Sequence, residues 1–78
     1  MSRKVWLTFP KQLVERPLIW EVAQKYRVVT NIRQASISKE IGLVGLELSG
    51  DEDEVRQAID FFTDAGVSVE PIELGVVE

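Results

Sequence analysis

The chain has 78 residues with no cysteine and no histidine, and its 13 acidic and 9 basic side chains give a net charge of −4. A domain this small buries only about 60% of the surface its unfolded chain exposes, which implies one compact core and no room for a deep catalytic cleft. The missing residue types exclude disulfides, thiolate nucleophiles, iron–sulfur ligation and zinc sites built from cysteine or histidine. The acids gather at Asp51-Glu52-Asp53-Glu54 while the bases are scattered, so there is no electrostatic footprint for a phosphate backbone. No apolar stretch approaches the ~20 residues of a membrane span, and Met1-Ser2-Arg3-Lys4 leads into a strand-like run and not a signal peptide. The expectation is a soluble, cytoplasmic protein with no catalytic residues, no cofactor, no metal, no nucleic-acid partner and no membrane insertion.

In chain order, Val5, Leu7 and Phe9 alternate with Lys4, Trp6 and Thr8, the period-two signature of a strand with one buried face. Pro10 ends it. After the linker Lys11-Gln12-Leu13-Val14, Pro17 suits a first helical position, and Leu18, Ile19, Val22, Ala23 and Tyr26 fall on one side of a helix predicted over 16–27. The next strand starts at Val28. Its apolar residues Val28 and Ile32 are even-numbered whereas Ile37 is odd, and that switch predicts a bulge or kink within 33–36.

Lys39-Glu40-Ile41-Gly42 reads as a hairpin turn, followed by a third strand with Val44, Leu46 and Leu48 on its core face, antiparallel to the second. Asp51 and Glu54 match a capping box, and the four acids complement the positive end of a helix dipole. Val55, Ala58, Ile59 and Phe62 form that helix's buried stripe, and Gly66 stands where a left-handed residue would stop it. Val67 and Val69 give a fourth strand ending near Pro71, with 74–78 as a tail. The order β-α-β-β-α-β predicts one α+β domain over 1–78: a ferredoxin-like two-layer sandwich, with an antiparallel sheet ordered 4-1-3-2 and both helices on one face.

The uncovered face would carry Trp6, Thr8, Asn31, Arg33, Gly45, Glu47, Ser68 and Glu70. Gly45 beside Trp6 would leave a shallow depression, and Glu47 would pair with Arg33 across the strands. Trp6 reads either as an interface anchor, with Thr8, Gly45 and Glu47 around it, or as a cross-strand partner of aliphatic stems. Trp20 falls off its helix's buried stripe and is expected to be at least half exposed. Asn31 offers both donors and an acceptor in mid-strand, which suits orienting a small polar ligand; the competing reading is an amide that satisfies the backbone of the bulge. The acidic run reads as a charged helix cap, because it lacks the interleaved oxygen ligands and glycine turn of a divalent-metal loop.

The opening strand Val5-Trp6-Leu7-Thr8-Phe9, Pro17-Leu18-Ile19, Asn31-Ile32-Arg33, Gly45 through Leu48, Gly50, Ala58-Ile59-Asp60-Phe61-Phe62 and Gly66-Val67-Ser68-Val69-Glu70 together resemble a NIL domain. This is the ACT-like regulatory module at the C-terminus of methionine ABC-importer ATPases, also found fused to some ferredoxins. Arg33 stands where the family's Asn-Ile-Leu motif has leucine, and the chain contains no Walker phosphate loop. In the importers the domain pairs with its copy and binds methionine, which feeds back on transport. The resemblance therefore implies a stand-alone, non-enzymatic module, a homodimer holding an amino acid such as methionine at Asn31, Ile32 and Arg33. The alternative is a ligand-free interaction module that docks a separately encoded ferredoxin, transporter or enzyme subunit through a sheet edge or the Trp6 face. RNA binding would require aromatics on strand three, and Val44-Gly45-Leu46-Glu47 has none.

Overall fold

Two alternating strands make the floor of the core. β1 (Ser2–Pro10) buries Val5, Leu7 and Phe9, and β3 (Ile41–Gly50) buries Val44, Leu46 and Leu48. The two run antiparallel with Val5 opposite Leu46 and Leu7 opposite Val44, so their apolar side chains form one continuous surface. β2 (Val28–Ile37) pairs with β3, and β4 (Ser68–Pro71) pairs with β1, both antiparallel. The sheet order β2-β3-β1-β4 is the one expected. The computed structural model describes residues 1–72; the tail expected over 74–78 lies outside the described residues.

Both helices lay their apolar stripes on this floor. α1 (Leu18–Lys25) contributes Leu18 and Val22, and α2 (Glu52–Ala65) contributes Val55, Ala58 and Phe62. The Phe62 ring meets Phe9 edge-on, with centroids 6.5 Å apart. Among the described residues no polar side chain is buried, so the core rests on apolar burial alone, at about 1.5–3 kcal/mol for each large side chain taken fully from water. The result is the ferredoxin-like α+β sandwich that the element order predicts.

Boundaries differ from the sequence reading in three places, each for a local reason. Pro17 caps α1 from outside, with φ −78° and ψ 62°, and Tyr26 is already extended, so the helix is shorter than 16–27 at both ends. The preceding linker is wound into a 3-10 turn over Lys11–Leu13. In the hairpin, the Ser38 hydroxyl accepts the backbone N–H groups of Glu40 and Ile41 at 3.2 Å each, which tightens the turn and lets β3 begin at Ile41.

The start of α2 is built differently from a capping box. Asp51 is the N-cap residue but makes no side-chain capping bond. Glu54 Oε1 instead accepts the backbone N–H of Arg27 at 2.7 Å, tying the helix's first turn to the chain as it enters β2. At the other end Gly66 has φ 109°, and Val67 N–H donates back to the Phe62 carbonyl at 3.0 Å. This is the left-handed stop that the glycine foretells.

Candidate functional site

Cross-strand partners share a face of a sheet, so the register fixes what the uncovered side displays. Asn31 lies opposite Glu47, Gln34 opposite Gly45 and Ser36 opposite Leu43. On the other flank of β3, Lys4 faces Glu47, Trp6 faces Gly45 and Thr8 faces Leu43. Glu70 and Ser68 continue the Trp6 and Thr8 rows onto β4. The expected Trp6, Thr8, Asn31, Gly45, Glu47, Ser68 and Glu70 are all on this face. Gln34, Ser36 and Leu43 join them.

Leu43 joins because β3 already begins at Ile41, and Gln34 and Ser36 come from the bulge. The β2 register jumps between Ile32 and Gln34, which makes Arg33 the extra residue and swaps the parity of everything after it. The switch falls in the predicted window. Its consequence for residues 34–36 is readable only once the position of the extra residue is fixed.

Trp6 and Gly45 are packed together. A Cβ built on Gly45 would lie 3.1 Å from the indole Cζ3, so the depression expected at the glycine is filled by the ring. An open hollow lies beside it, bordered by Trp6, Gln34, Ala35, Ser36 and Leu43.

Glu47 is the polar hub of this face. Its carboxylate accepts the Ser2 hydroxyl at 2.8 Å and Arg33 Nη1 at 3.0 Å, as the expected Arg33 pairing requires. The Ser2 hydrogen bond first, and then the Arg33 guanidinium, hold its carboxyl below the usual glutamate range against the opposing effect of desolvation. Asn31 sits next to this cluster, exposed, and its side chain has no hydrogen-bond partner among the described residues. It lies in the open, not beneath a helix. Ile32 points the other way, opposite Leu46, yet is 54% exposed. The three consecutive ligand candidates therefore do not converge within one chain: Asn31 and the Arg33–Glu47 pair share one face and Ile32 serves the other.

β2 is an edge strand, and from residue 31 to residue 37 every side chain is exposed. On the helix side, Ile37 borders a groove of about 190 Å³ floored by Phe9, Leu18, Gly42 and Val44. Arg16 and the 62%-exposed Trp20 stand at its rim. Arg16 donates from Nε and Nη2 to the two carboxylate oxygens of Glu21, each at 3.0 Å. That bidentate bond, with the attraction between the charges, lowers the Glu21 pKa and raises that of Arg16. No sequence pattern marks this groove, because the segment before α1 (Val14, Arg16 and Pro17), α1 and the strands flanking the hairpin meet only in the folded chain. Among the described residues no group of three or more acidic side chains is placed to hold a metal ion.

The family model of the NIL domain matches residues 3–71. The chain belongs to the NIL domain family. Over 75 residues, 91% of its length, it is 36% identical to the methionine import ATP-binding protein MetN of Bacillus subtilis. It is 34% identical over the same length to MetN 2 of Bacillus licheniformis. The chain spans 22% of the length of these curated relatives. Among solved structures it is similar to the C-terminal domain of an ABC transporter ATP-binding protein from Enterococcus faecalis, with TM-score 0.80, 27% identity, and coverage of 90% of this chain and 82% of that one. A de novo designed protein, Ferredog-Diesel, shares the fold at TM-score 0.60 and 15% identity, covering 94% of this chain and 85% of the design. As a NIL domain, the chain is related to a regulatory part of importer ATPases and not to their catalytic part.

Proposed function

We propose that this NIL domain is a regulatory module that pairs with a second copy of itself and senses an amino acid such as methionine, with Asn31 as the polar anchor of the ligand. The carrying observation is the Asn31 carboxamide, exposed on an edge strand with its donors and acceptor uncommitted, in a chain related to methionine import ATP-binding proteins. Arg33, held beside it by Glu47, offers a positive charge to a carboxylate, and the exposed Ile32 offers apolar surface. The reading carries with it a cytoplasmic location and a transporter partner.

The unprotected edge of β2 supports pairing. Natural edge strands are kept from pairing by shortness, proline or charge. β4 is four residues long and ends at Pro71, whereas β2 runs for ten residues without proline and carries one charge, Arg33, already engaged by Glu47. An antiparallel pair of β2 strands would bring the Ile32 and Ile37 surfaces of two copies together.

Calorimetric titration with L-methionine, run alongside sedimentation, tests the proposal. The expected result is saturable binding by a dimer, weakened at least tenfold by Asn31→Ala with the melting temperature unchanged. Absence of heat or shift at millimolar methionine, for this and other amino acids, would overturn sensing. The second reading, a ligand-free docking module, is favoured by Trp6 and the 40%-exposed Leu43 on the open face; it predicts loss of partner capture by Trp6→Ala regardless of added amino acid.

A further inference from the structure

The hollow on the open face of the sheet, bordered by Trp6, Gln34, Ala35, Ser36 and Leu43, measures about 420 Å³. That is within the span of about 300–1,000 Å³ usual for small-molecule sites, which join apolar and aromatic walls to a few placed polar groups. Trp6 and Leu43 are the walls here. Gln34 and Ser36 are the polar groups, both exposed, and their side chains have no hydrogen-bond partner among the described residues. The register explains the opening: Gln34 and Trp6 flank Gly45 from opposite sides, so two long side chains stand about 10 Å apart with only a glycine between them.

Charge restricts what can enter. No charged side chain borders the hollow, so a phosphate or a zwitterionic head seated there would lose water without gaining a counter-ion. The charged pair one row along the sheet, Arg33 and Glu47, is closed on itself. The net charge of −4 further disfavours a polyanion. The part of a ligand that fits is therefore neutral.

The side chains narrow the class further. Trp6 turns Cε3, Cζ3 and Cη2, one edge of its six-membered ring, towards Gly45; Nε1–H, at the opposite corner of the indole, makes no hydrogen bond among the described residues. An aromatic wall gains most from another flat ring laid against it. The Gln34 carboxamide presents an acceptor and donors side by side, the pattern that matches the N6 amino group and N7 of adenine. We infer that the hollow between Trp6 and Gln34 binds the base of a free adenine nucleoside, with the ring against the indole and Gln34 reading its N6–N7 edge. The site is separate from Asn31 and does not depend on amino-acid sensing.

The experiment is an NMR titration of the full chain with adenosine and with inosine, in which a carbonyl acceptor replaces the N6 amino donor. Millimolar adenosine is expected to shift the Trp6 Nε1–H, the Gln34 side-chain amide, Ser36 and Leu43 saturably, and to bind at least about fivefold more tightly than inosine, as a bidentate contact to a base edge requires. Gln34→Leu, at an exposed position on the edge strand β2, is expected to keep the fold and erase that preference. Trp6→Leu is expected to weaken both nucleosides at least about fivefold, as loss of a stacking partner does, and the amide spectra verify the fold of each variant. Absence of shifts at these residues would overturn the site, and so would a preference for adenosine that survives Gln34→Leu. An adenylate oligonucleotide that binds more tightly per base than adenosine would overturn the free nucleoside in favour of nucleic acid.

Discussion

The Trp6 indole occupies the space that a side chain on Gly45 would need, with Cζ3 3.1 Å from the position of a Cβ. The glycine is buried because the ring covers it, and the ring is only half-buried because nothing covers it in turn. Gly45→Val drives the indole outward. The expected cost is about 1–3 kcal/mol, typical of overpacking, with a red-shifted Trp6 emission. Fluorescence-monitored unfolding in a Trp20→Phe background, where Trp6 is the sole reporter, measures both.

The period-two patterns of β1 and β3 could be read before folding because each strand buries one whole face, so Val5, Leu7, Val44 and Leu46 had one consistent placement. The parity conflict between Ile32 and Ile37 likewise announced a bulge. What remained hidden depends on contacts distant in sequence. Nothing near Asp51 reveals that Glu54 finds a better donor in the Arg27 backbone, 27 positions earlier, and nothing near Gly42 reveals a groove built with the turn before α1. Gln34 and Ser36 were missed because a four-residue window for the bulge leaves the facing of every side chain beyond it open, and Leu43 because β3 begins at Ile41, inside the stretch read as the turn.

The start of α2 offers a sharp contrast between two acids. In a capping box, removing Asp51 would cost about 1 kcal/mol. Here Asp51 makes no capping bond, so Asp51→Ala loses only the favourable placement at the helix dipole, a few tenths of a kcal/mol. Glu54→Ala removes the 2.7 Å bond from Arg27 and is expected to cost about 1 kcal/mol. Urea titrations of the two variants check the order, which a capping box would reverse.

Glu47 sets part of the acid sensitivity. Its carboxyl titrates lower in the folded chain, because of Ser2 and then Arg33, than in the unfolded one. The stability it contributes is therefore fully present above the free-glutamate value of about 4.3 and is lost as the pH falls through the lower native value. Glu21, lowered by Arg16, acts in the same direction. Urea midpoints of the wild type are expected to fall between about pH 6 and about pH 3. Glu47→Gln, which cannot titrate there, falls less.

The edge of β2 decides whether two copies meet. Ile32 is on the helix side, opposite Leu46, but is 54% exposed, and Ile37 is 63% exposed, so neither contributes much to the fold of one chain. Lysine on an edge strand is a common natural device against strand pairing. Ile32→Lys is therefore expected to leave the monomer's stability within about 0.5 kcal/mol, as for a surface substitution, while abolishing self-association. Because a dimer that forms only from folded chains makes the melting temperature rise with concentration, the wild type should show that rise and the variant should not. Sedimentation velocity at matched concentrations separates the species directly, and a wild type that sediments as a monomer throughout would remove pairing through β2 from the account.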